Sequence, residues 1–204
     1  MNNKIAHPLS LAHISVSEMD NNCYLLHANN EGLLIDAADN AQEILELAHN
    51  AGVTITKVLT THRHWDHSRA LADVIKATGA THYAPHLDAP ALPVPADVEL
   101  HYGDTIEFAG HDLPIVILRG HTPGGAALIA PIAGTTSIFS GDSLFPGGLG
   151  KTSSESDFER LFHDVTKYIF DVYPDDSIVY PGHGKSTTLG EQRPQLDSWW
   201  ERRW

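Results

Sequence analysis

The chain has 204 residues, of which 42% are apolar, and this is enough to bury the core of a sizeable domain. Its 26 acidic and 13 basic residues give a formal net charge of −13, which disfavours nucleic acid or an anionic membrane surface as a partner. The single cysteine, Cys23, allows no disulfide within the chain. Residues 1–9 have no apolar segment of a signal peptide, and no apolar run approaches the length of a membrane span. We therefore expect one cytoplasmic domain, residues 1–204, that acts on a small molecule.

The first half of the chain alternates short β-type runs with helical patterns. Strands are predicted at residues 14–16, 23–27, 33–35, 58–59 and 81–84. Asn40 and Glu43 form a capping pair for a helix that ends at Gly52, and residues 68–77 have the apolar spacing of a second helix. Four prolines within residues 85–95 predict an exposed loop.

Strand patterns dominate the second half. They occur at residues 99–108, around a turn at residues 102–104, and at 113–118, 126–129, 137–139 and 178–180. Ser156 and Glu159 predict the start of a helix that carries apolar residues to Phe170, and residues 195–204 predict a short terminal helix. This order favours two mixed sheets covered by helices.

One short segment concentrates metal-binding side chains. Residues 60–67 read Thr-Thr-His-Arg-His-Trp-Asp-His and lie between a predicted strand and a predicted helix. His62 and His64 are two positions apart, so an extended backbone directs both to one side, while a tight turn can direct Asp66 and His67 to a second point. Zinc, iron(II) and manganese accept such imidazole and carboxylate ligands. A solvated polar turn is the alternative interpretation.

Three more candidate ligands follow predicted strands, each beside glycine: His121, Asp142 and His183. Each alone is compatible with an ordinary surface residue. Together with the first segment they supply seven donors, a number that suits two metal ions bridged by Asp142. One ion would be bound by His62, His64 and His121, and the other by Asp66, His67 and His183. The remaining histidines lack this setting and are not expected to bind these ions: His7, His13, His27, His49, His82, His86, His101, His111 and His163.

The motifs H-x-H-x-D-H, G-H-T-P-G-G, S-G-D-S-L-F and P-G-H-G resemble those of the metallo-β-lactamase superfamily, from about residue 14 to residue 183. The chain is most similar to small type II glyoxalases (hydroxyacylglutathione hydrolases) without the C-terminal helical domain. This resemblance implies an α+β fold, a four-layer αββα sandwich of two mixed sheets between helices. It also implies that Lys151, which follows the Gly148-Leu149-Gly150 stretch, contacts the glutathione part of the substrate.

The expected activity is hydrolysis of a hydroxyacyl thioester by a hydroxide that bridges two divalent metal ions, which are zinc or alternatively iron or manganese. Asp66 would both bind metal and orient the hydroxide, so it is the predicted catalytic residue. Three alternatives are open: a mononuclear iron persulfide dioxygenase, a lactone or ester hydrolase, and a binding protein with a vestigial site.

Overall fold

Two six-stranded sheets face one another in the computed structural model, which describes residues 5–203. The first sheet has the strand order β1 (Ser10–Val16), β2 (Asn21–Ala28), β3 (Glu31–Ile35), β4 (Thr54–Leu59), β5 (Thr81–Pro85) and β6 (Val98–Leu100). The second has the order β14 (Thr187–Thr188), β13 (Ile178–Pro181), β10 (Thr135–Gly141), β9 (Gly125–Ile132), β8 (His111–Leu118) and β7 (Thr105–Phe108). A two-stranded ribbon pairs β11 (Leu144–Phe145) with β12 (Gly148–Leu149).

Helices cover the outer face of each sheet. The first sheet packs on α1 (Ala41–Asn50) and α2 (Leu71–Thr78). The second packs on α3 (Glu155–Val165), on the π-helical turn that continues it (Thr166–Phe170), on α4 (Leu189–Gln192) and on α5 (Leu196–Arg202). The predicted α+β sandwich of four layers is confirmed. No helix within residues 5–203 is both long and apolar enough to cross a membrane.

Strand direction brings several chain segments to one edge of the sandwich. In the first sheet β3, β4, β5 and β6 are parallel. In the second, β8 and β10 both pair antiparallel with β9, so they run in the same direction, and β13 runs parallel to β10. The residues that follow β8, β10 and β13 therefore emerge together, which is the usual position of a ligand site in sheets with parallel strands.

Apolar side chains fill three separate layers. Between the sheets, β-branched and aromatic residues such as Ile35, Ile117 and Phe139 are buried to 5% exposure or less. A second cluster lies under α3 and α5 and includes Trp199, which is fully buried, while Trp200 is 38% exposed. Trp199 therefore anchors the terminal helix in the core, and Trp200 packs at its edge against Phe162, with ring centroids 5.1 Å apart.

Two helix starts test the capping predictions. The Asn40 side chain accepts a hydrogen bond from the Glu43 amide at the start of α1, as predicted. The prediction for α3 is wrong, because the helix begins two residues earlier than Ser156 implies. Ser154 is the cap, and its hydroxyl accepts from the Asp157 amide. Ser154 and Ser156 are alternative caps of the same chemical type, and the backbone geometry selects the first.

Two segments that the sequence predicts as a hairpin turn and as a break between strands have a different structure. The strands at residues 99–108 do not pair with each other, because β6 belongs to the first sheet and β7 to the second. The turn at residues 102–104 is therefore the crossover between sheets. Asn21 and Asn22, expected in a break between strands, are instead buried residues at the start of β2.

An ion pair between a buried carboxylate and a half-exposed arginine connects α3 to the residue after β8. Asp164 is fully buried and accepts hydrogen bonds from Nε and Nη2 of Arg119, at 2.8 and 2.9 Å, and from the Arg119 amide. Burial acts to raise the pKa of Asp164, but the hydrogen bonds from Arg119 outweigh it and hold the pKa below its ordinary value. The pair therefore stabilises the fold when Asp164 is ionised.

We predict that Asp164→Asn lowers the free energy of unfolding at pH 7 by about 1–3 kcal/mol, because the Arg119 donors lose their charged acceptor. This contribution is fully present above the pKa of about 3.9 in the unfolded chain and is lost as the pH falls through the lower folded-state pKa. Urea unfolding in steps from pH 7 to pH 3 should show wild type and variant converging only below about pH 4. The exposed Asp176→Asn serves as the control, and a constant difference at every pH would contradict the prediction.

Candidate metal centre

All seven predicted ligands lie at the edge where the strands end. His62, His64, Asp66 and His67 follow β4, and residues 65–67 form one 3-10 turn. This turn buries Asp66 and His67 and leaves Trp65 66% exposed. The other three follow strands of the second sheet: His121 after β8, Asp142 after β10 and His183 after β13.

His62, His64 and His121 form the first donor group. Nδ1 of His64 lies 3.1 Å from Nε2 of His62 and 3.0 Å from Nε2 of His121. For zinc–nitrogen bonds of 2.0–2.1 Å, tetrahedral ligands are separated by about 3.3 Å. The three nitrogens are thus spaced as ligands of one ion.

Asp66, His67 and His183 form the second donor group. Nε2 of His67 lies 3.1 Å from Nε2 of His183, and Oδ2 of Asp66 lies 3.5 and 3.3 Å from these two nitrogens. Nδ2 of Asn21 donates to the same Asp66 oxygen at 3.0 Å. Asn21 therefore fixes the orientation of this carboxylate.

Asp142 lies between the two groups. Its Oδ2 is 3.6 Å from Nε2 of His121 and 4.0 Å from Nε2 of His62 in the first group, and 3.4 Å from Nε2 of His183 in the second. Its Oδ1 is buried without a hydrogen bond, 3.4 Å from Nε2 of His67. An unpaired buried carboxylate oxygen is costly, and a cation would satisfy it.

The hydrogen bond made by Nδ1 of three of the imidazoles determines that the other ring nitrogen, Nε2, is unprotonated in the neutral ring. Nδ1 of His67 faces Asp36 at 2.8 Å, Nδ1 of His121 faces the Lys151 carbonyl at 2.7 Å, and Nδ1 of His183 faces the Met19 carbonyl at 2.8 Å. These partners only accept, so each Nδ1 carries the hydrogen in the neutral ring. Each Nε2 is then a lone pair directed into the site.

His62 has the same arrangement through a hydroxyl group. The Thr61 hydroxyl donates to Oδ2 of Asp36 at 2.8 Å and lies 3.0 Å from Nδ1 of His62. Because its one hydrogen is used for Asp36, it accepts from His62. Nε2 of His67 and Nε2 of His183 therefore place two lone pairs 3.1 Å apart, and this repulsion is relieved only by a proton or a metal ion between them. Nε2 of His62 and Nε2 of His121 both face Nδ1 of His64, which carries at most one hydrogen for the two of them. The donor set fits divalent metal ions.

Burial and neighbouring carboxylates set the charge of these rings. Burial lowers the pKa of His62 well below its ordinary value, so this ring is neutral. Burial acts to lower the pKa of His67 too, but Asp36 and Asp142 outweigh it and raise the pKa to about 10. Likewise, burial opposes ionisation of Asp142, and the contacts with His183 and His67 still hold its pKa well below the ordinary value. A metal ion must displace the proton of His67, so its affinity decreases as the pH falls.

At two positions the backbone passes so close to the donor residues that only glycine fits. A Cβ at Gly182 would lie 2.2 Å from Oδ1 of Asp142 and 2.6 Å from Cε1 of His67. One at Gly150 would lie 1.8 Å from the Asp142 carbonyl oxygen. Both contacts are closer than a side chain tolerates, so the glycines beside the motifs have a direct role in forming the site.

Sequence reasoning missed the residues that support the ligands. Asp36 follows β3 with a φ of 59°, and its carboxylate accepts from His67 and from both the amide and the hydroxyl of Thr61. Its signal was the same as that of the ligands, an acid directly after a strand. Asn21, by contrast, had no signal, because an Asp-Asn-Asn run is typical of a turn.

Asp88 is a second buried carboxylate that connects ligand segments. Its Oδ2 accepts from the Arg63 amide and its Oδ1 from the Gly124 amide, both at 3.0 Å. Asp88 therefore joins the segment containing His62 and His64 to the loop containing His121. The proline-rich loop predicted at residues 85–95 supplies this support.

Lys151 has an exposed side chain at the edge of the site, and its carbonyl holds His121. The histidines outside the motifs make other contacts: His82 pairs with Thr60, and His86 with the Leu100 carbonyl. Among residues 5–203, none of them belongs to a three-donor group.

Comparisons with known proteins agree with this geometry. The family profile of the metallo-beta-lactamase superfamily matches residues 16–183. A relative named hydroxyacylglutathione hydrolase, from Polaromonas sp. (strain JS666 / ATCC BAA-500), is 34% identical over 163 residues, which are 75% of this chain and 57% of the relative. The chain thus spans little more than half the length of that relative.

Two solved structures have a similar fold. TTHA1623 in a di-iron-bound form is 27% identical with a TM-score of 0.75, and the match covers 89% of this chain and 96% of that one. ETHE1 from Myxococcus xanthus is 24% identical with a TM-score of 0.79, and the match covers 93% of this chain and 85% of that one.

We predict that Asp36→Asn lowers the affinity for metal by about 10–100-fold, because an amide has only one acceptor oxygen and cannot accept from the Thr61 amide as well as from His67 and the Thr61 hydroxyl. Competition with a chromogenic chelator measures the affinity. Asp39→Asn is the matched control, because Asp39 bonds Arg69 at 2.7 Å and contacts no ligand. Equal affinity in the Asp36 variant and wild type would show that the carboxylate does not support the ligands.

Proposed function

The chain belongs to the metallo-beta-lactamase superfamily, and from this premise we propose that it is a hydrolase that cleaves hydroxyacyl thioesters with two divalent metal ions. The observation that carries the proposal is the meeting of two complete three-donor groups at one carboxylate, Asp142. The relatives named hydroxyacylglutathione hydrolase support the choice of substrate class. The lone cysteine requires no oxidising compartment, so we place the reaction in the cytoplasm.

We assign one ion to the group of His62, His64 and His121 and the other to the group of Asp66, His67 and His183, with Asp142 between them. When bound, two such ions lower the pKa of a water molecule toward about 7 and polarise the carbonyl to be attacked. Imidazole nitrogen and carboxylate oxygen are ordinary ligands of zinc, which we propose as the ion, and iron(II) and manganese accept the same donors.

Asp66 is the proposed catalytic residue. Its carboxylate lies beside His67 and His183, and burial acts to raise its pKa, but the hydrogen bond from Asn21 and the charge of His67 outweigh this and lower the pKa. Asp66 is thus ionised at neutral pH and can accept a hydrogen bond from the attacking water, which orients it toward the substrate.

The leaving group needs little help from the protein. A thiol has a pKa of about 8.5, so its thiolate departs without a strong general acid. No general acid is therefore required among the described residues. With metal bound, the donors would be deprotonated, so they could help to activate water but could not supply protons.

A mononuclear iron dioxygenase needs only two imidazoles and one carboxylate. The second donor group of Asp66, His67 and His183, like the first, has all its donor atoms within 4.8 Å of one another. This completeness favours two ions over one, and hydrolysis over oxygen chemistry.

A substrate panel on metal-analysed protein tests the proposal. We expect two metal equivalents per chain and release of thiol from a hydroxyacylglutathione, with slower turnover of a lactone and a carboxylic ester. Chelator-treated protein is the control. One iron per chain with oxygen uptake on glutathione persulfide would instead establish the dioxygenase.

We further propose that Lys151 binds an anionic part of the substrate. Lys151→Ala keeps the carbonyl that holds His121, so the metal content should not change. The KM for an anionic thioester should rise about fivefold, the effect of one exposed charge pair, with kcat nearly constant. Steady-state rates with an anionic and a neutral thioester at low salt measure this. An equal change for both substrates would exclude Lys151 from binding.

A further inference from the structure

A cavity of about 490 Å³ opens directly beside His121 and is lined by three arginines, Arg63, Arg119 and Arg160. The only carboxylate that lines it, among the described residues, is that of Asp157. This concentration of guanidinium groups stands out in a chain with a formal charge of −13. We call this cavity the arginine groove.

Arg63 is the free cation of the groove. It stands between His62 and His64 in the motif, and its amide donates to the buried Asp88, which fixes the backbone. Its side chain is exposed, and within residues 5–203 its guanidinium makes no hydrogen bond or ion pair. The N–H donors of the Arg63 guanidinium are therefore available to a ligand. The Arg63 backbone is held in place within the H-x-H motif by Asp88.

The other two arginines are oriented by carboxylates. Nε and Nη2 of Arg119 donate to the buried Asp164, which holds a side chain that is still 45% exposed. Arg160 lies 3.6 Å from Asp157 and is 50% exposed. Since a guanidinium has five N–H donors, both keep donors free for a second acceptor.

We propose that the arginine groove binds an anionic group of the substrate, a carboxylate or a phosphate, on the His121 side of the metal centre. The inference rests on the proposed thioester hydrolysis, because it places the charged arm of a substrate whose carbonyl lies at the metal centre. Guanidinium groups match the two oxygens of such anions. They also offset the repulsion that the negative protein exerts on an acidic substrate.

The groove continues past Arg119. A second cavity of about 370 Å³ shares Leu87 and Arg119 with it and includes Tyr102 and Tyr168, whose ring centroids are 4.9 Å apart. The two cavities together offer an extended surface that is cationic near the metal centre and aromatic further away. An extended substrate arm fits this surface better than a small uncharged ester.

Three thioesters identify the bound group. The first is a hydroxyacylglutathione, with its carboxylates on the thiol. The second carries the same acyl group on N-acetylcysteamine, a neutral thiol, and the third is succinyl-N-acetylcysteamine, with its carboxylate on the acyl side. Arg63→Gln and Arg160→Gln should each raise KM about tenfold for an anionic thioester, the loss of one charge-assisted hydrogen bond, with kcat within about twofold. The neutral thioester should be unaffected.

Lys76→Gln is the matched control, because it removes one positive charge from an exposed position of α2 that lines neither cavity. Arg119 is left unchanged, since Asp164 would lose its partner. A rise in KM for the glutathione thioester alone assigns the anion to the thiol, and a rise for the succinyl thioester alone assigns it to the acyl group. Equal effects on charged and neutral thioesters, or no effect on any, would overturn the proposal.

A binding measurement on protein that cannot catalyse the reaction tests the arginine groove independently of the proposed function. Calorimetry on metal-free protein uses the thioether analogues of the two anionic thioesters, in which a methylene group replaces the carbonyl. Arg63→Gln should raise the Kd of one of them about tenfold. If the wild type hydrolyses no thioester, the proposed function falls, and this Kd alone decides: a tenfold rise supports the groove and an unchanged Kd rejects it.

Discussion

The lone pairs of the donor groups repel one another, and the rest of the structure depends on opposing this repulsion. Nε2 of four histidines, Nδ1 of His64 and the oxygens of Asp66 and Asp142 face each other at 3.0 to 4.0 Å. Such an arrangement is unfavourable without a proton or a metal ion between the donors, so the fold must impose it. The parallel directions of β8, β10 and β13 and the inter-sheet core supply that rigidity.

Asp36 is the residue through which the first sheet holds the site. Its carboxylate reaches His67 directly and His62 through the Thr61 hydroxyl, so one group fixes the orientation of one ring in each donor group. Asp88 has a similar role through backbone amides, because it joins the motif segment to the loop that contains His121. The two donor groups are therefore mechanically coupled through buried carboxylates that are not themselves members of either group.

The surroundings of the centre are asymmetric. On the His121 side, the arginine groove is cationic. On the Asp66 side, the exposed Trp65 lies against Arg69, whose guanidinium carbon is 3.6 Å from the ring centroid, and Arg69 is also bonded to Asp39. The donor groups are therefore flanked by free positive charge on one side and by an aromatic ring on the other.

The sequence by itself determined the fold class, and it indicated seven candidate donors in two groups, which the structure brings to one edge of the sandwich. Each donor follows a β-type run, and glycine or a short histidine spacing marks it, so the signal is contained in a few neighbouring residues. Asn21, Asp88 and the three arginines of the groove could not be found this way. The partners of Asn21, Asp88 and Arg119 are 25 to 45 positions away in the chain, and Arg63 and Arg160 meet at one cavity only through the fold. Only the tertiary structure decided these contacts, because strand direction and packing bring together segments that share no local pattern.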